Sequence, residues 1–472
     1  MSSDPLRIHL SLVSHTNIGK TTLARTLLSR DIGIIADRAH VTETPDDYVL
    51  ARNAEGGELI LWDTPGFGNS VSLAKRLAGR KNPVGWFLAE VWDRVANKTL
   101  WLNQQALKHV KDVSSVVLYL VNASELPQTA PYVKAEMQIL EWIGKPVIVL
   151  LNQMGEPRPA ASERADVERW QEAMTEYPIV SSVLPMDAFA RCWVQEFTLF
   201  DYIAKALAPE QQPVFEALCE SWSRQRRAAY GASIRAIKSY FEQLALDKEV
   251  APTLSVKDQL LFFGKRLGLM KDEAFHAPTE AAQTALSARA TDAFCDLTDK
   301  LIAANGLKGK GIRKEIFKRL QSDWHIESQL EPKTAAVAGA IGSGAVGGFA
   351  TDIASGGLTM GLGTLIGTVI GAIGGAGFAY AYNHHKEAQG TCVTWSDEAL
   401  KNFFADAILL YLAIAHFGRG RGNWSESECP AFWRDTVMDA LKEEKAVGED
   451  FALRVDPFIR IILLRLYPEA NF

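Results

Sequence analysis

A chain of 472 residues, 47% apolar and 22% charged, has the makings of two or three globular domains with substantial cores. Its formal net charge of -6 argues against a nucleic-acid binder that works through a broadly basic surface. The five cysteines (Cys192, Cys219, Cys295, Cys392 and Cys429) are scattered, without a Cys-x-x-Cys pair, and read as reduced thiols of a cytosolic protein, with no disulfide framework or zinc site.

The chain begins polar and runs into Leu6-Arg7-Ile8-His9-Leu10 without a signal-peptide apolar core, so this end is expected in the cytoplasm. Ile8, Leu10 and Leu12 alternate with polar residues as far as Ser14, the pattern of a strand entering a loop. A helix follows from Lys20, with Leu23, Leu27 and Leu28 on one face. Glu58 to Asp63 is a second strand. From Val84 to Val110, with Trp86, Trp92, Leu100 and Trp101, the periodicity predicts an inserted amphipathic helix or helix pair whose tryptophans serve the core. Ser115 to Val121 and Pro146 to Leu151 are near-continuous apolar runs, which suits strands covered on both faces. Pro178 to Leu184 is a further strand. Residues 1–205 are therefore expected to form an α/β domain, a mixed sheet with helices on both faces.

After Asp201 the strand-like runs vanish, and an all-α region is predicted. Glu216 to Leu246, Val256 to Leu269, Glu280 to Asn305, Asp397 to His416, Cys429 to Glu444 and Phe458 to Leu466 read as helices. This gives a helical domain over 206–333, a glycine-rich hairpin over 334–383 and a terminal helical region over 384–472. The basic clusters Arg224 to Arg227 and Lys308 to Lys314 read as solvated helix faces. In the hairpin, Gly363, Gly367, Gly371 and Gly375 recur every four residues, as do Ala335, Gly339, Ser343 and Gly347 upstream. Small residues at that spacing share a helix face and let two backbones approach closely. Ser355-Gly356-Gly357 supplies the turn. Leu358 to Tyr382 is long enough for a bilayer, which takes ~20 apolar residues. A buried hairpin in a soluble core is the other reading. His384-His385-Lys386 suits an interfacial anchor or an ordinary helix end.

The chemistry lies in the first domain. Ser14-His15-Thr16-Asn17-Ile18-Gly19-Lys20-Thr21 sits between strand and helix, where backbone N–H groups and the helix dipole favour a phosphate. Asn17, Ile18, Gly19, Lys20, Thr21 and Thr22 are the expected nucleotide-binding residues. Gly19 permits close approach, Lys20 supplies a point charge to the β and γ phosphates, and the Thr21 hydroxyl is placed for Mg²⁺. Ser14 stands where the first glycine of the pattern would. Asp63-Thr64-Pro65-Gly66 follows an apolar strand; Asp63 can hold a water on Mg²⁺, and the Gly66 N–H can sense a γ-phosphate. Thr42, with Thr44 as the alternative, is the candidate to complete the Mg²⁺ shell. Lys20, Thr42 and Gly66 are the candidate catalytic residues.

Asp63-Thr64-Pro65-Gly66-Phe67 resembles the corresponding element of translation-factor-class GTPases, and in particular the Era/TrmE-like branch of P-loop GTPases. The resemblance covers about the first 205 residues and implies GTP as substrate, Mg²⁺ as cofactor and a Ras-like mixed sheet. In that branch an apolar residue follows the glycine, as Phe67 does. An asparagine three residues before the lysine, here Asn17, helps hold K⁺ in the potassium-stimulated members, although Asn17 also suits a plain turn role. The remainder is similar to an uncharacterised bacterial extension of such domains.

One element departs from the family pattern. The base-recognition segment should read Asn-Lys-x-Asp, and the sequence gives Asn152-Gln153-Met154-Gly155. Asn152 matches, Gln153 replaces the lysine, and Gly155 replaces the carboxylate that reads guanine. That loss should weaken guanine preference by a few kcal/mol, so ATP or relaxed specificity stays open. Glu156 could substitute through a shifted loop, and Asp187 is read as the cap of a helix starting at Ala188. The resulting expectation is a nucleotide-operated switch with slow hydrolysis, an unidentified protein effector and no nucleic-acid partner, cytoplasmic or associated with the inner membrane through 334–383. A dynamin-like membrane remodeller and a non-hydrolysing nucleotide-binding protein are the alternatives.

Overall fold

The structure is a computed structural model that describes residues 7–28, 45–89, 98–155, 158–188, 192–252, 278–307, 378–383, 390–416, 431–444, 449–470 and 472. Two compact units are present. The first comprises Met1–Ala229, Ala415–Phe432 and Leu463–Phe472, the second Tyr230–Ile414 and Trp433–Ile462.

The first unit is built on a six-stranded sheet. In chain order its elements are β1 (Arg7–Ser14), α1 (Lys20–Leu28), β2 (Asp46–Arg52), β3 (Glu58–Asp63), α2 (Ser70–Leu77), α3 (Pro83–Ala89), α4 (Lys98–Asp112), β4 (Val116–Asn122), α5 (Pro131–Ile143), β5 (Val147–Asn152), α6 (Ala160–Met174), β6 (Val180–Pro185) and α7 (Val194–Ala206). The spatial order is β2-β3-β1-β4-β5-β6. All neighbours pair in parallel except β2, which runs antiparallel to β3. This is a Ras-like mixed sheet, and β1 lies between β3 and β4, where the connections reverse direction and where α/β sheets place their ligands.

The apolar runs fill both faces of that sheet. Val117, Tyr119 and Val121 of β4 join Val147, Val149 and Leu151 of β5 in one core, with Leu73 and Leu77 of α2, Leu107 of α4 and Met137 of α5. The alternate residues Val116, Leu118, Leu120, Ile148 and Leu150 face the other way, against Leu23 and Leu27 of α1 and Leu199 and Ile203 of α7. A strand with period-two side chains and apolar residues at every position must be covered twice. The expected insertion is a helix pair, α3 and α4, and Trp86 and Leu100 pack on the core as anticipated. The strand β2 was not expected: as an edge strand with Asp46 and Asp47 at its start it lacks the continuous apolar signature.

Helix α8 (Gln212–Leu246) follows, and from Tyr230 onward it belongs to the second unit. That unit also holds β7 (Lys248–Pro252), α9 (Pro278–Ala304), β8 (Phe378–Asn383), β9 (Gly390–Trp395), α10 (Asp397–Ala415, through Ile414), α11 (Ala431–Lys442, from Trp433), a 3-10 turn (Glu449–Arg454) and α12 (Val455–Leu466, through Ile462). It is mainly helical, as the sequence indicates, and α10 is buried on every side over most of its length. Phe241, Phe404, Phe451 and Phe458 meet edge-on or tilted at 4.9–5.8 Å between ring centres.

Strand-like runs do not vanish after Asp201. β7, β9 and β8 form a three-stranded antiparallel sheet in that order. Phe378 to Tyr382, assigned above to the second helix of the glycine-rich hairpin, is a strand instead. Phe-Ala-Tyr-Ala-Tyr carries the aromatic alternation of a strand, and it pairs residue for residue with β9. The rest of the hairpin (334–377), Val256 to Leu269, His384 to Lys386, the Lys308 to Lys314 cluster and Thr42 with Thr44 lie outside the described residues. Among the described residues no helix is long and apolar enough to cross a membrane.

Candidate nucleotide site

The loop between β1 and α1 is pinned on three sides. Ser14 carbonyl accepts the Phe67 N–H at 2.9 Å, and His15 forms an isolated parallel bridge with Phe67, so the segment after β3 lies directly against the loop. Asn17 and Gly19 take left-handed backbone angles, φ 66° and 99°. Asparagine tolerates that region, and glycine enters it without cost. A Cβ on Gly19 would meet the Asn152 amide nitrogen at 2.7 Å. Asn152 is the third fixing point: its Nδ2 donates to the Ile18 carbonyl at 2.6 Å, and its Oδ1 accepts the Ala188 N–H at 2.8 Å.

Within this frame Lys20 is buried, 8% exposed, and its Nζ donates to Ser14 Oγ at 3.1 Å. Burial pushes its ammonium below the ordinary lysine range, and the Asp63 and Glu136 carboxylates oppose that shift. Among the described residues its bonded partner is a hydroxyl, not a carboxylate. The Thr21 hydroxyl donates to Asp63 Oδ2 at 2.5 Å, and Asp63 is 2% exposed. Thr64, beside it, anchors its hydroxyl on the Leu12 carbonyl at 2.6 Å, which holds the end of β3 against β1. Gly66 is packed so closely that an added Cβ would meet Lys20 Nζ at 3.0 Å and Thr16 Cα at 3.1 Å. The structure therefore brings Lys20, Thr21, Asp63 and Gly66 together. Ile18 and Thr22 are buried beside them, and Gln153 reaches back to the Asn17 carbonyl at 3.4 Å.

Several contacts were not anticipated. His15 Nδ1 lies 2.8 Å from Glu136 Oε1, and Tyr119 donates to Glu136 Oε2 at 2.7 Å. Glu136 is fully buried on α5, and the His15 ring stacks on Tyr132 at 4.6 Å. The available signal was an acidic residue on the apolar Val133–Met137–Leu140 face. Asp187 was read as a cap for a helix starting at Ala188; its Oδ2 accepts the Met154 N–H at 2.7 Å, and the next described helix begins at Val194. Arg226, read as part of a solvated face, is tied to buried Glu196 at 3.0 Å and to the Leu27 carbonyl at 3.1 Å. Cys192, Cys219, Cys295 and Cys392 form no disulfide. Burial pushes Cys219 up to about 12, which makes it inert.

A buried lysine at a helix start, beside a strand-end aspartate on a Ras-like sheet, defines a P-loop nucleoside-triphosphate-binding domain. Comparison with known proteins narrows the class. Residues 9–153 match the family described as 50S ribosome-binding GTPase, and residues 313–454 match a domain of unknown function (DUF3482). GTPase Era of Heliobacterium modesticaldum is 27% identical over 168 residues, 34% of this chain and 46% of that protein, so the chain spans about half the length of this curated relative. Similar solved structures include an Era variant of Aquifex aeolicus bound to GDP.AlF4- (TM-score 0.32, 19% identity, 52% of this chain and 69% of that one). Another is Era in complex with MgGDPNP and nucleotides 1506–1542 of 16S ribosomal RNA (TM-score 0.32, 18% identity, 52% and 70%). Residues 9–153 thus form a P-loop domain that matches a GTPase family model, and residues 313–454 match a domain of unknown function.

Proposed function

We propose that the protein is a GTP-operated switch that hydrolyses GTP slowly. The observation that carries this reading is the buried Lys20 ammonium, bonded to the Ser14 hydroxyl at the mouth of a helix. A buried cation held by a neutral group gains most from an incoming anion. In the proposed role Lys20 contacts the β and γ phosphates, and the loop amides from Asn17 to Thr22 cradle them. Thr21 and Asp63 present two hard oxygens 2.5 Å apart, a donor set that fits Mg²⁺, and Thr42 would join them. A Mg²⁺ held by these residues would neutralise charge on the phosphates. Gly66, wedged against Lys20, is placed to couple the γ-phosphate to the segment leading into α2. The nucleophile is a loop-positioned water.

Two finer readings belong to the same proposal. Asn17, exposed in the left-handed region of the loop, is the candidate K⁺ ligand. The glycine stripe over 334–377 is the candidate for reversible membrane association, and the effector is a protein.

Titration of the purified chain with GTP and ATP, in Na⁺ and in K⁺, tests the proposal. GTP is expected to bind and turn over, and Lys20→Ala to lower its affinity about 100-fold, the ~3 kcal/mol of a charged hydrogen-bonded contact. Unchanged affinity in Lys20→Ala would end the reading. Equal turnover in both salts removes Asn17 from it, and failure to sediment with anionic vesicles removes the membrane.

A further inference from the structure

Against the phosphate loop lies a buried acid that the proposed nucleotide chemistry does not use. Glu136 of α5 is fully buried, on a helix face it shares with Val133, Met137 and Leu140. Both of its oxygens are engaged: His15 Nδ1 lies 2.8 Å from Oε1, and the Tyr119 hydroxyl donates to Oε2 at 2.7 Å. A carboxylate only accepts, so His15 Nδ1 carries the proton and donates. Burying such a group is costly even when it is paired, and an apolar side chain would burden the fold less. The acid therefore points to a role in what it holds, which is the second residue of the loop. His15 is tied there in three ways. Its main chain bridges Phe67, its ring stacks on Tyr132 of α5 with centres 4.6 Å apart, and Nδ1 is bonded to Glu136. Tyr132 is itself anchored, its hydroxyl donating to Glu125 Oε2 at 2.8 Å. From His15 the loop turns through left-handed Asn17 and Gly19 to Lys20. The Glu136 charge reaches that lysine too: with Asp63 it opposes the burial that lowers the ammonium.

We propose that Glu136 is a positioning residue for the phosphate loop, acting through His15, and that this pair sets nucleotide affinity by holding the loop in its binding shape before the ligand arrives. Loop amides that are already aligned need not be ordered when a triphosphate binds, so the entropy of fixing them is lost on folding and not on binding. Glu136 touches no phosphate in this role. It fixes the start of the loop against α5, while the Asn152 amide fixes the far side at the Ile18 carbonyl. The role of the pair rests on the nucleotide-switch reading above and adds to it the contact that keeps its loop ready.

GTP affinity and thermal midpoint, measured together on the intact chain, test it. His15→Leu removes the donor and the ring; His15→Asn also removes the ring but puts an amide N–H where Nδ1 stood. His15→Leu is expected to weaken GTP binding about 10-fold, and His15→Asn to bind within about threefold of the wild type. Tyr119→Phe removes the other bond to the same carboxylate without touching the loop. It is expected to lower the thermal midpoint and to leave GTP affinity within about twofold. In a Glu136→Met background His15→Leu should cost no further affinity, because both changes break one contact; should that background fail to fold, the two His15 variants decide. His15→Leu with a lowered midpoint and wild-type affinity would make the pair a brace of the fold and overturn the inference. Equal affinities in the leucine and asparagine variants would overturn it too, as would an equal loss in Tyr119→Phe. Each of those results leaves the switch standing where Lys20→Ala weakens binding; GTP binding insensitive to Lys20→Ala would overturn both.

Discussion

At the scale of single residues, Phe67 separates what the chain can do from what it cannot. Its side chain is fully buried among Val13, Leu73 and Leu77, while its N–H bonds the Ser14 carbonyl at 2.9 Å. A ring committed to the core cannot orient a water at the γ-phosphate, which is the packing argument behind the slow turnover proposed above. Phe67→Gln is expected to destabilise the domain by about 2–4 kcal/mol, through lost apolar burial and an amide placed in a dry site. It is not expected to raise turnover. A lowered melting midpoint with unchanged or reduced GTP hydrolysis is the expected result, and a faster variant would contradict it. The sequence announced Lys20, Thr21, Asp63 and Gly66 because their spacing is set by one loop and one strand end. It was silent on Ser14 as the lysine's partner and on the His15–Glu136 pair, because 121 positions separate those two side chains.

At the scale of elements, the middle of the sheet carries a polar cluster beside α4. His109 of α4 lies 3.0 Å from Ser11 Oγ of β1, and its ring meets Trp62 of β3 at 4.3 Å. The Trp62 indole donates to His9 Nδ1 at 3.0 Å. Burial, with His9 nearby, depresses His109 to about 4 from its ordinary 6.5, and His9 is lowered as well. Between those limits the unfolded chain binds more protons than the folded one, so the contribution to stability is complete above pH 6.5 and is lost as pH falls towards 4. Trp62 fluorescence in denaturant titrations should report that loss, and His109→Gln should abolish most of it. A wild-type stability flat across the window would refute the assignment. Here too the elements themselves were legible: β1, α1, β3, β4, β5 and β6 follow from apolar periodicity. β2 was not, because an edge strand is stabilised by pairing with β3 rather than by its own pattern. The same holds for β8, whose partner β9 decides between helix and strand.

At the scale of the whole molecule, buried titratable groups in the two units predict opposite responses to acid. In the second unit Asp406 is 2% exposed on α10 and pairs with Arg434 at 3.0 Å. Burial outweighs Arg434 and raises its carboxyl to about 6 from 3.8. A raised carboxyl makes the folded state bind more protons than the unfolded one between those values, so this contribution falls as pH rises from about 4 to 6. The two slopes are opposite in sign within one window. Calorimetry is expected to show two transitions that diverge as the buffer is acidified from pH 6 to 4.5, the first unit losing stability while the second gains. Asp406→Asn should flatten the second transition by an amount on the order of 2 kcal/mol. Transitions that move together in the wild type would refute the opposite signs assigned to His109 and Asp406.

By itself the sequence determined the class of this protein. A phosphate loop and an aspartate at a strand end are local arrangements, and their chemistry is written in residues a few positions apart. What only the tertiary structure decided is which distant groups brace them: Asn152 on Ile18, Glu136 on His15, and Asp187 on the Met154 N–H. Those partners meet because the parallel sheet brings strand ends and a covering helix from far apart in the chain side by side. Sequence periodicity records that a residue faces inward, but it does not record what it faces.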